Sequence, residues 1–501
     1  MTVASARRPR ILICTPEVTE LPEGMGNAAN YIRAKGGGLG DISAGLIAQL
    51  WAHDRFELHV VVPKYDAKIL DVAELSSYDL DRLVPLLSEQ RVHLVADSAF
   101  AYLDEVYADS AQHPRIRRAE AFQRYIVNHL LEALAPDVVH CNDWMTGLVP
   151  AAARAKRIPS IFTLHNVFTE YETPEAIDRS GIDVRRFLEH VYFERWPGAP
   201  LDTWTRNRID FTATGIHAAS IVNTVSPSFL DEVVRGDFPD VIPPSIRHAL
   251  REQHAAGRAI GILNAPTPVL DAHGRPFVGP VAPATVLEDK ARHKLALQQR
   301  LGLVAGTGAP LFFWPSRLYR QKGPDLVLAA APALIAQTGA QIAVVANGDT
   351  EIEQAFRVLG VRHRGHVALA PFDEGLSELG KAGADFVLMP SRYEPCGLPQ
   401  MECPRYGTLP VVRCTGGLKD TVTPLDLAAD TGIGFVFEDL SPGALGAAMR
   451  AATDFHRLDA AQRARTLARV MRDASGRFSL ERTAEADATV YEQLVGERRT
   501  H

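Results

Sequence analysis

Within Pro390–Gly417 (PSRYEPCGLPQMECPRYGTLPVVRCTGG) an acid, Glu394, precedes Gly397-Leu398-Pro399 by three residues. Proline is accepted in a first helical turn, so a short helix is expected to open there. A carboxylate ahead of that helix can hold sugar hydroxyls. The unbonded N–H groups at the helix start can hold phosphate. The two halves of a sugar nucleotide are thus matched within six residues. An ordinary strand–turn–helix of an α/β protein has the same outline.

Four further clusters have polar types that suit such a ligand. Lys35-Gly36-Gly37-Gly38-Leu39-Gly40-Asp41 leads into an amphipathic helix over Ile42–Leu50. Its glycines permit close backbone approach, and Lys35 adds a point charge for phosphate. It has neither the G-x-G-x-x-G register nor a Walker lysine, and a bland glycine-rich helix entry fits equally. His140-Cys141-Asn142-Asp143-Trp144 follows an apolar strand. Asp143 suits sugar hydroxyls, and the Trp144 ring a sugar CH face; Asp143 is equally an ordinary N-cap residue. Thr163-Leu164-His165-Asn166 ends another strand. Ser316–Gly323 (SRLYRQKG) sets Arg317 and Lys322 in one loop, where fixed cations neutralise a departing diphosphate without a metal. A solvated basic turn reads the same way.

The elements that must position these residues alternate along the chain. Apolar runs at Arg10–Cys14, Leu58–Val62, Asp137–His140, Ser160–Leu164 and Ser220–Val225 read as buried parallel strands, with a helix over Ala119–Ala135 between them. Ala265–Thr285 holds five prolines and reads as a linker. A second alternation follows: strands at Leu311–Pro315, Gln341–Ala346, Phe386–Met389 and Leu409–Val412, with a helix over Pro324–Gln337. This is α/β architecture with two Rossmann-like doubly wound domains, 1–264 and 286–480, joined by a linker over 265–285. The helix Leu480–Val495, within a tail 481–501, fits either domain and could cross back to the first. Ligands of such sheets sit beyond the strands' carboxyl ends, and all the clusters follow strands. The two domains are expected to face a deep cleft.

At 501 residues the chain is too long for one core. A net charge of −7 argues against a nucleic-acid or anionic-membrane partner. No apolar run approaches the roughly 20 residues that cross a bilayer. The N-terminus lacks a secretory apolar region. The five scattered cysteines show no metal spacing and suggest a reducing cytoplasm. No metal, cofactor or membrane partner is expected, and oligomeric state is not readable.

Taken in order, the clusters resemble the bacterial and plant glycogen/starch synthases, retaining glucosyltransferases of the GT-B fold. The resemblance runs through K-x-G-G-L-G-D at Lys35–Asp41, PDVVHCNDW at Pro136–Trp144 and TLHN at Thr163–Asn166. It continues through TVSPSF at Thr224–Phe229, GILN at Gly261–Asn264, SRLYRQKGPDLV at Ser316–Val327, SRYEPCGLPQ and RYGTLPVVRCTGGLKDTV. By position it implies that Lys35, Gly37 and Gly38 approach the donor's phosphates and glucose. It implies that Asp143, His165 and Asn264 line the sugar and acceptor side, and that Arg317 and Lys322 hold the diphosphate. Glu394 would grip glucose hydroxyls with Cys396 nearby, and Gly397 and Leu398 would take the distal phosphate. Phe372 would lie against the base, with Thr415, Gly416 and Gly417 completing the nucleotide site. The implied activity transfers α-glucose from ADP-glucose or another nucleoside-diphosphate glucose to the non-reducing end of an α-1,4-glucan.

The chain departs from the family at several places. Val18–Ala34 lengthens the turn between Glu17 and Lys35 where an acceptor would enter. Ala265-Pro266-Thr267 follows GILN in place of Gly-Val-Asp. Ala213 stands where a lysine is common, and Glu402 adds an acid eight residues after Glu394. Pro404 would cost the helix a hydrogen bond, so the helix after Leu398 should be short or kinked. Rival readings are a glucosyltransferase with a small acceptor, a nucleotide-sugar epimerase and a catalytically silent glucan-binding homologue. A cofactor-dependent phosphorylase fits poorly, for lack of a Schiff-base lysine.

Overall fold

The computed structural model describes residues 7–25, 34, 38–65, 91–100, 106, 114–267 and 276–500. The chain divides into two compact units, Met1–Asn264 with Leu480–His501, and Ala265–Ser479.

The first unit is built on a seven-stranded sheet of order β3-β2-β1-β4-β5-β8-β9. Its strands are β1 Arg10–Cys14, β2 Glu57–Pro63, β3 Val92–Val95, β4 Val138–Asn142, β5 Ser160–Thr163, β8 Ile221–Asn223 and β9 Ala259–Ile260. All the pairings are parallel. In β1, Ile11 to Cys14 are at most 1% exposed. Helices cover both faces of such a strand, which is why it reads as a continuous apolar run. A small antiparallel pair, β6 Tyr171–Glu172 and β7 Ile209–Asp210, lies apart from this sheet.

The second unit carries a six-stranded parallel sheet of order β12-β11-β10-β13-β14-β15. These are β10 Leu311–Trp314, β11 Gln341–Val345, β12 Val367–Ala370, β13 Phe386–Met389, β14 Leu409–Arg413 and β15 Phe435–Phe437. Two buried lysines brace its amino-terminal edge. Lys290 Nζ donates to the carbonyls of Ala382 and Ala384 and to Thr408 Oγ1. Lys294 Nζ pairs with Asp385 at 2.5 Å, and Asp385 also accepts the Leu311 amide. Both ammonium groups therefore have their donors filled by the fold itself.

Several elements differ from expectation. The helix expected over Ala119–Ala135 starts at Arg115 and is interrupted by a π turn at Ile126–Leu130 before it ends at Leu134. The strand expected over Ser220–Val225 is only Ile221–Asn223, because Val225 turns to φ +58° at its end. The helix after Leu398 is the single turn Pro399–Glu402, followed by a 3-10 turn at Cys403–Tyr406, as Pro404 requires. The terminal helix runs Leu480–Thr500 and belongs to the first unit. Thr483 Oγ1 donates to the Leu263 carbonyl, Arg498 to that of Pro136, and Arg55 pairs with Glu485 at 2.6 Å. Among the described residues, no helix is long and apolar enough to cross a membrane.

Candidate active site

In the first unit the carboxyl ends of β4 and β5 are welded by one acid. Asp143 leaves β4 at φ +57°, a conformation that costs a non-glycine residue energy. Its Oδ1 accepts the backbone amides of His165 at 2.8 Å and Asn166 at 3.4 Å, and its Oδ2 accepts Asn166 Nδ2 at 2.9 Å. Asp143 caps no helix: its side chain makes no bond to the turn that follows. Burial pushes its carboxyl up to about 7, against the pull of the His165 and Asn166 amides, and the nearby Glu17 charge adds to the rise.

His165 Nε2 lies 2.9 Å from Asn142 Oδ1. Asn142 Nδ2 donates to the Cys14 carbonyl, which fixes the amide and leaves its oxygen toward His165. The imidazole proton therefore sits on Nε2, and Nδ1 keeps its lone pair. Burial holds this ring neutral, with its pKa lowered to about 3. Trp144 does not offer its face to a ligand as expected. It is 4% exposed and meets Phe168 edge-on at 5.2 Å, while Phe168 is the aromatic at the surface. Phe168 had no sequence signal beyond its type. Asn264 is buried at the end of this unit. Gly38 opens the helix Gly38–His53. Lys35 and Gly37 lie outside the described residues. Val18 N donates to the Ala34 carbonyl at 2.9 Å, so the two ends of the Val18–Ala34 insert are tied together.

In the second unit the loop after β10 and the loop after β13 meet. Lys322 Nζ lies 2.7 Å from Glu394 Oε2, and Ser391 Oγ donates to the same oxygen at 2.9 Å. Glu394 is 4% exposed. A carboxylate this buried needs such partners. The loops are joined by their backbones too: Arg392 N donates to the Gln321 carbonyl at 2.7 Å. Gly323 turns at φ +73°, and a Cβ there would fall 2.2 Å from the Pro390 carbonyl oxygen, so only glycine lets the loops touch. The partnership of Ser391 with Glu394 was not foreseen. Arg317 is exposed at the start of the Lys322 loop.

The helix start beyond Glu394 has the expected form. Among the described residues, the amides of Gly397 and Leu398 make no recorded hydrogen bond within the protein. Cys396 is buried beside them. Gly417 N donates to the Glu394 carbonyl at 2.9 Å, and a Cβ on Gly417 would lie 2.1 Å from the Cys396 carbonyl oxygen. Thr415 and Gly416, at the start of the helix Gly416–Thr421, are thereby locked to the Glu394 turn. Phe372 is 53% exposed beyond β12, its amide bonded to Asn347 Oδ1. Glu402 does not join Glu394. It pairs at 2.7 Å with Lys381, which also holds Glu378.

Two parallel α/β units, each with its polar residues at the strands' carboxyl ends, are the architecture of the GT-B fold. The same fold is seen in the catalytic domain of starch synthase IV from Arabidopsis thaliana, solved with ADP and acarbose (TM-score 0.74, 23% identity, 99% of this chain and 100% of that one). A sucrose-phosphate synthase from Thermosynechococcus elongatus is similar at a TM-score of 0.59. Residues 10–242 match the starch synthase catalytic domain family, and residues 299–466 match glycosyl transferases group 1. The glycogen synthase of Thioalkalivibrio sulfidiphilus is 34% identical over 92% of this chain and 97% of its own length. That of an Anaeromyxobacter species is also 34% identical, over the same shares. The chain belongs to the glycogen/starch synthase family, and it is a glycogen synthase-like glucosyltransferase of glucan synthesis.

Proposed function

We propose that the chain moves α-glucose, with retention of configuration, from a nucleoside-diphosphate glucose to the non-reducing 4-hydroxyl of an α-1,4-glucan, with ADP-glucose the favoured donor. The observation that carries this reading is the Lys322 ammonium held 2.7 Å from the buried Glu394 carboxylate. One group answers a diphosphate and its partner answers sugar hydroxyls. In the transfer the bond from glucose C1 to the phosphate oxygen breaks, and a bond from the acceptor O4 to C1 forms on the same face. The acceptor proton passes to the leaving phosphate oxygen. Lys322 and Arg317 offset the charge that grows on the diphosphate, a preorganised electrostatic stabilisation that needs no metal. Gly397 and Leu398 offer amides to the distal phosphate, and exposed Phe372 offers a ring to the base. Asp143 and neutral His165 serve the glucose and acceptor side. The protein works in the cytoplasm on this reading.

The test is incubation with ADP-, UDP- or GDP-glucose and glycogen, following nucleoside diphosphate release and the anomeric proton signals of the product. ADP release with new α-1,4 signals is expected. No release from any of the three donors overturns the proposal. Release with a small acceptor but none with glycogen redirects it to a small-acceptor transferase, a course the Val18–Ala34 insert would favour.

A further inference from the structure

The terminal helix Leu480–Thr500 delivers one side chain to the root of the Asp143 turn. Tyr491 is fully buried, its ring set edge-on against Phe56 at 5.5 Å between centroids. Its hydroxyl lies 2.7 Å from His140 Nδ1, and His140 Nε2 lies 2.7 Å from Thr163 Oγ1. His140 stands on β4 two residues before Asn142, the partner of His165. Thr163 closes β5 two residues before His165, and its carbonyl accepts the Asp143 amide at 3.0 Å. A phenol, an imidazole and a hydroxyl thus run in series from the C-terminal helix to the two strand ends that carry Asp143 and His165. None of the three residues is more than 3% exposed.

The direction of the series follows from donor accounting. A neutral imidazole has one N–H and one lone pair. A phenol proton in a dry interior needs an acceptor. Among the described residues, the one hydrogen-bond partner recorded for the Tyr491 hydroxyl is His140 Nδ1. His140 is likewise the one partner of the Thr163 hydroxyl among the described residues, so in either tautomer one hydroxyl proton lacks an acceptor. The phenol is much the stronger acid and hence the stronger donor, so Tyr491 donates to Nδ1 and Nε2–H donates to Thr163 Oγ1.

We propose that Tyr491 is a positioning residue for glucosyl transfer: by fixing the ring and tautomer of His140, it holds the ends of β4 and β5 in the register that presents Asp143 and His165. This rests on the reading that those two residues serve the reaction. Lys322, Arg317, Gly397 and Leu398, which the proposed function sets on the diphosphate, lie in the other unit, so loss of the phenol should spare donor affinity.

The experiment compares the full chain with its Tyr491→Phe variant by two readouts. In protein with ¹⁵N-labelled histidine, the wild-type His140 should show a protonated Nε2 and a hydrogen-bonded, unprotonated Nδ1. The variant should lose that Nδ1 signature. In transfer assays Tyr491→Phe should lower kcat about tenfold, the scale of one buried hydrogen bond, with KM for the sugar nucleotide unchanged. Thr163→Val should do the same, and the two changes together should lower kcat by less than their product. A wild-type His140 protonated on Nδ1, or a Tyr491→Phe variant with full kcat, overturns the proposal. If Tyr491→Phe does not fold, Thr163→Val is read by the same two measures. If the wild type transfers no glucose, the functional reading falls, while the imidazole spectrum still decides whether Tyr491 sets His140.

Discussion

The two units solve the same problem, keeping a buried carboxylate in place, by opposite means. In the second unit Glu394 is matched by a cation and a hydroxyl. In the first, Asp143 is held by three N–H donors, two of them backbone amides, and burial pushes its carboxyl up to about 7. The paired acid suits a role beside a diphosphate, where the same ammonium can turn to the leaving group. The uncharged cradle suits a group that keeps its geometry whatever its protonation. Asp487 on the terminal helix marks the far end of this scale. It is 3% exposed, its Oδ1 has no hydrogen-bond partner, and burial alone pushes its carboxyl up to about 7. Burial raises the Asp143 and Asp487 carboxyls alike, so three N–H donors do not by themselves return Asp143 to the ordinary carboxylate range.

The comparison breaks most visibly at Lys322. Lys322→Met leaves Glu394 buried without its cation. It should lower kcat by about 10³ and destabilise the protein by about 3 kcal/mol in urea titrations. Adding Glu394→Gln should restore most of the stability and none of the turnover. A single variant with wild-type stability and turnover would erase the contrast between the two units. Asp487→Asn tests the other extreme. The folded pKa lies above the unfolded one, so wild-type stability should fall as pH rises from about 4 to about 7 and stay level above that. The amide removes this loss. Denaturant melts should show the variant on the order of 2–4 kcal/mol more stable at pH 8, and less so at pH 5. Equal stabilities at pH 8 would mean that the oxygen is solvated. The smallest effect separates the units by ligand. Phe372→Ala should weaken ADP binding about tenfold, the scale of one base stacked on a ring, while Asp143→Asn should leave it unchanged in calorimetry.

Much of this arrangement is legible in the chain because it is local. The turn at Glu394 and the proline at 404 each act through backbone geometry within a few residues, and their effects appear where expected; Gly323 answers instead to Pro390, 67 residues further on. The parallel strands are legible for a similar reason, since burial on both faces removes every polar side chain from a run such as Ile11–Cys14. Trp144 was misjudged. Its position after β4 is right, but whether an aromatic turns inward depends on what packs over it, and Phe168 lies 24 residues away. Glu402, noted as an acid eight residues after Glu394, carried no spatial expectation, and Lys381 captures it from another helix.

From its order of residues alone, the chain determines two alternating α/β halves, the strand-end clusters and the types of charge they carry, because apolar periodicity and turn chemistry are short-range. Only the tertiary structure decides which carboxylate gains a cation, which nitrogen of His165 holds the proton, and that a tyrosine 351 positions away touches His140. Those outcomes depend on burial and on hydrogen-bond partners that are distant in the chain, and no local pattern encodes them.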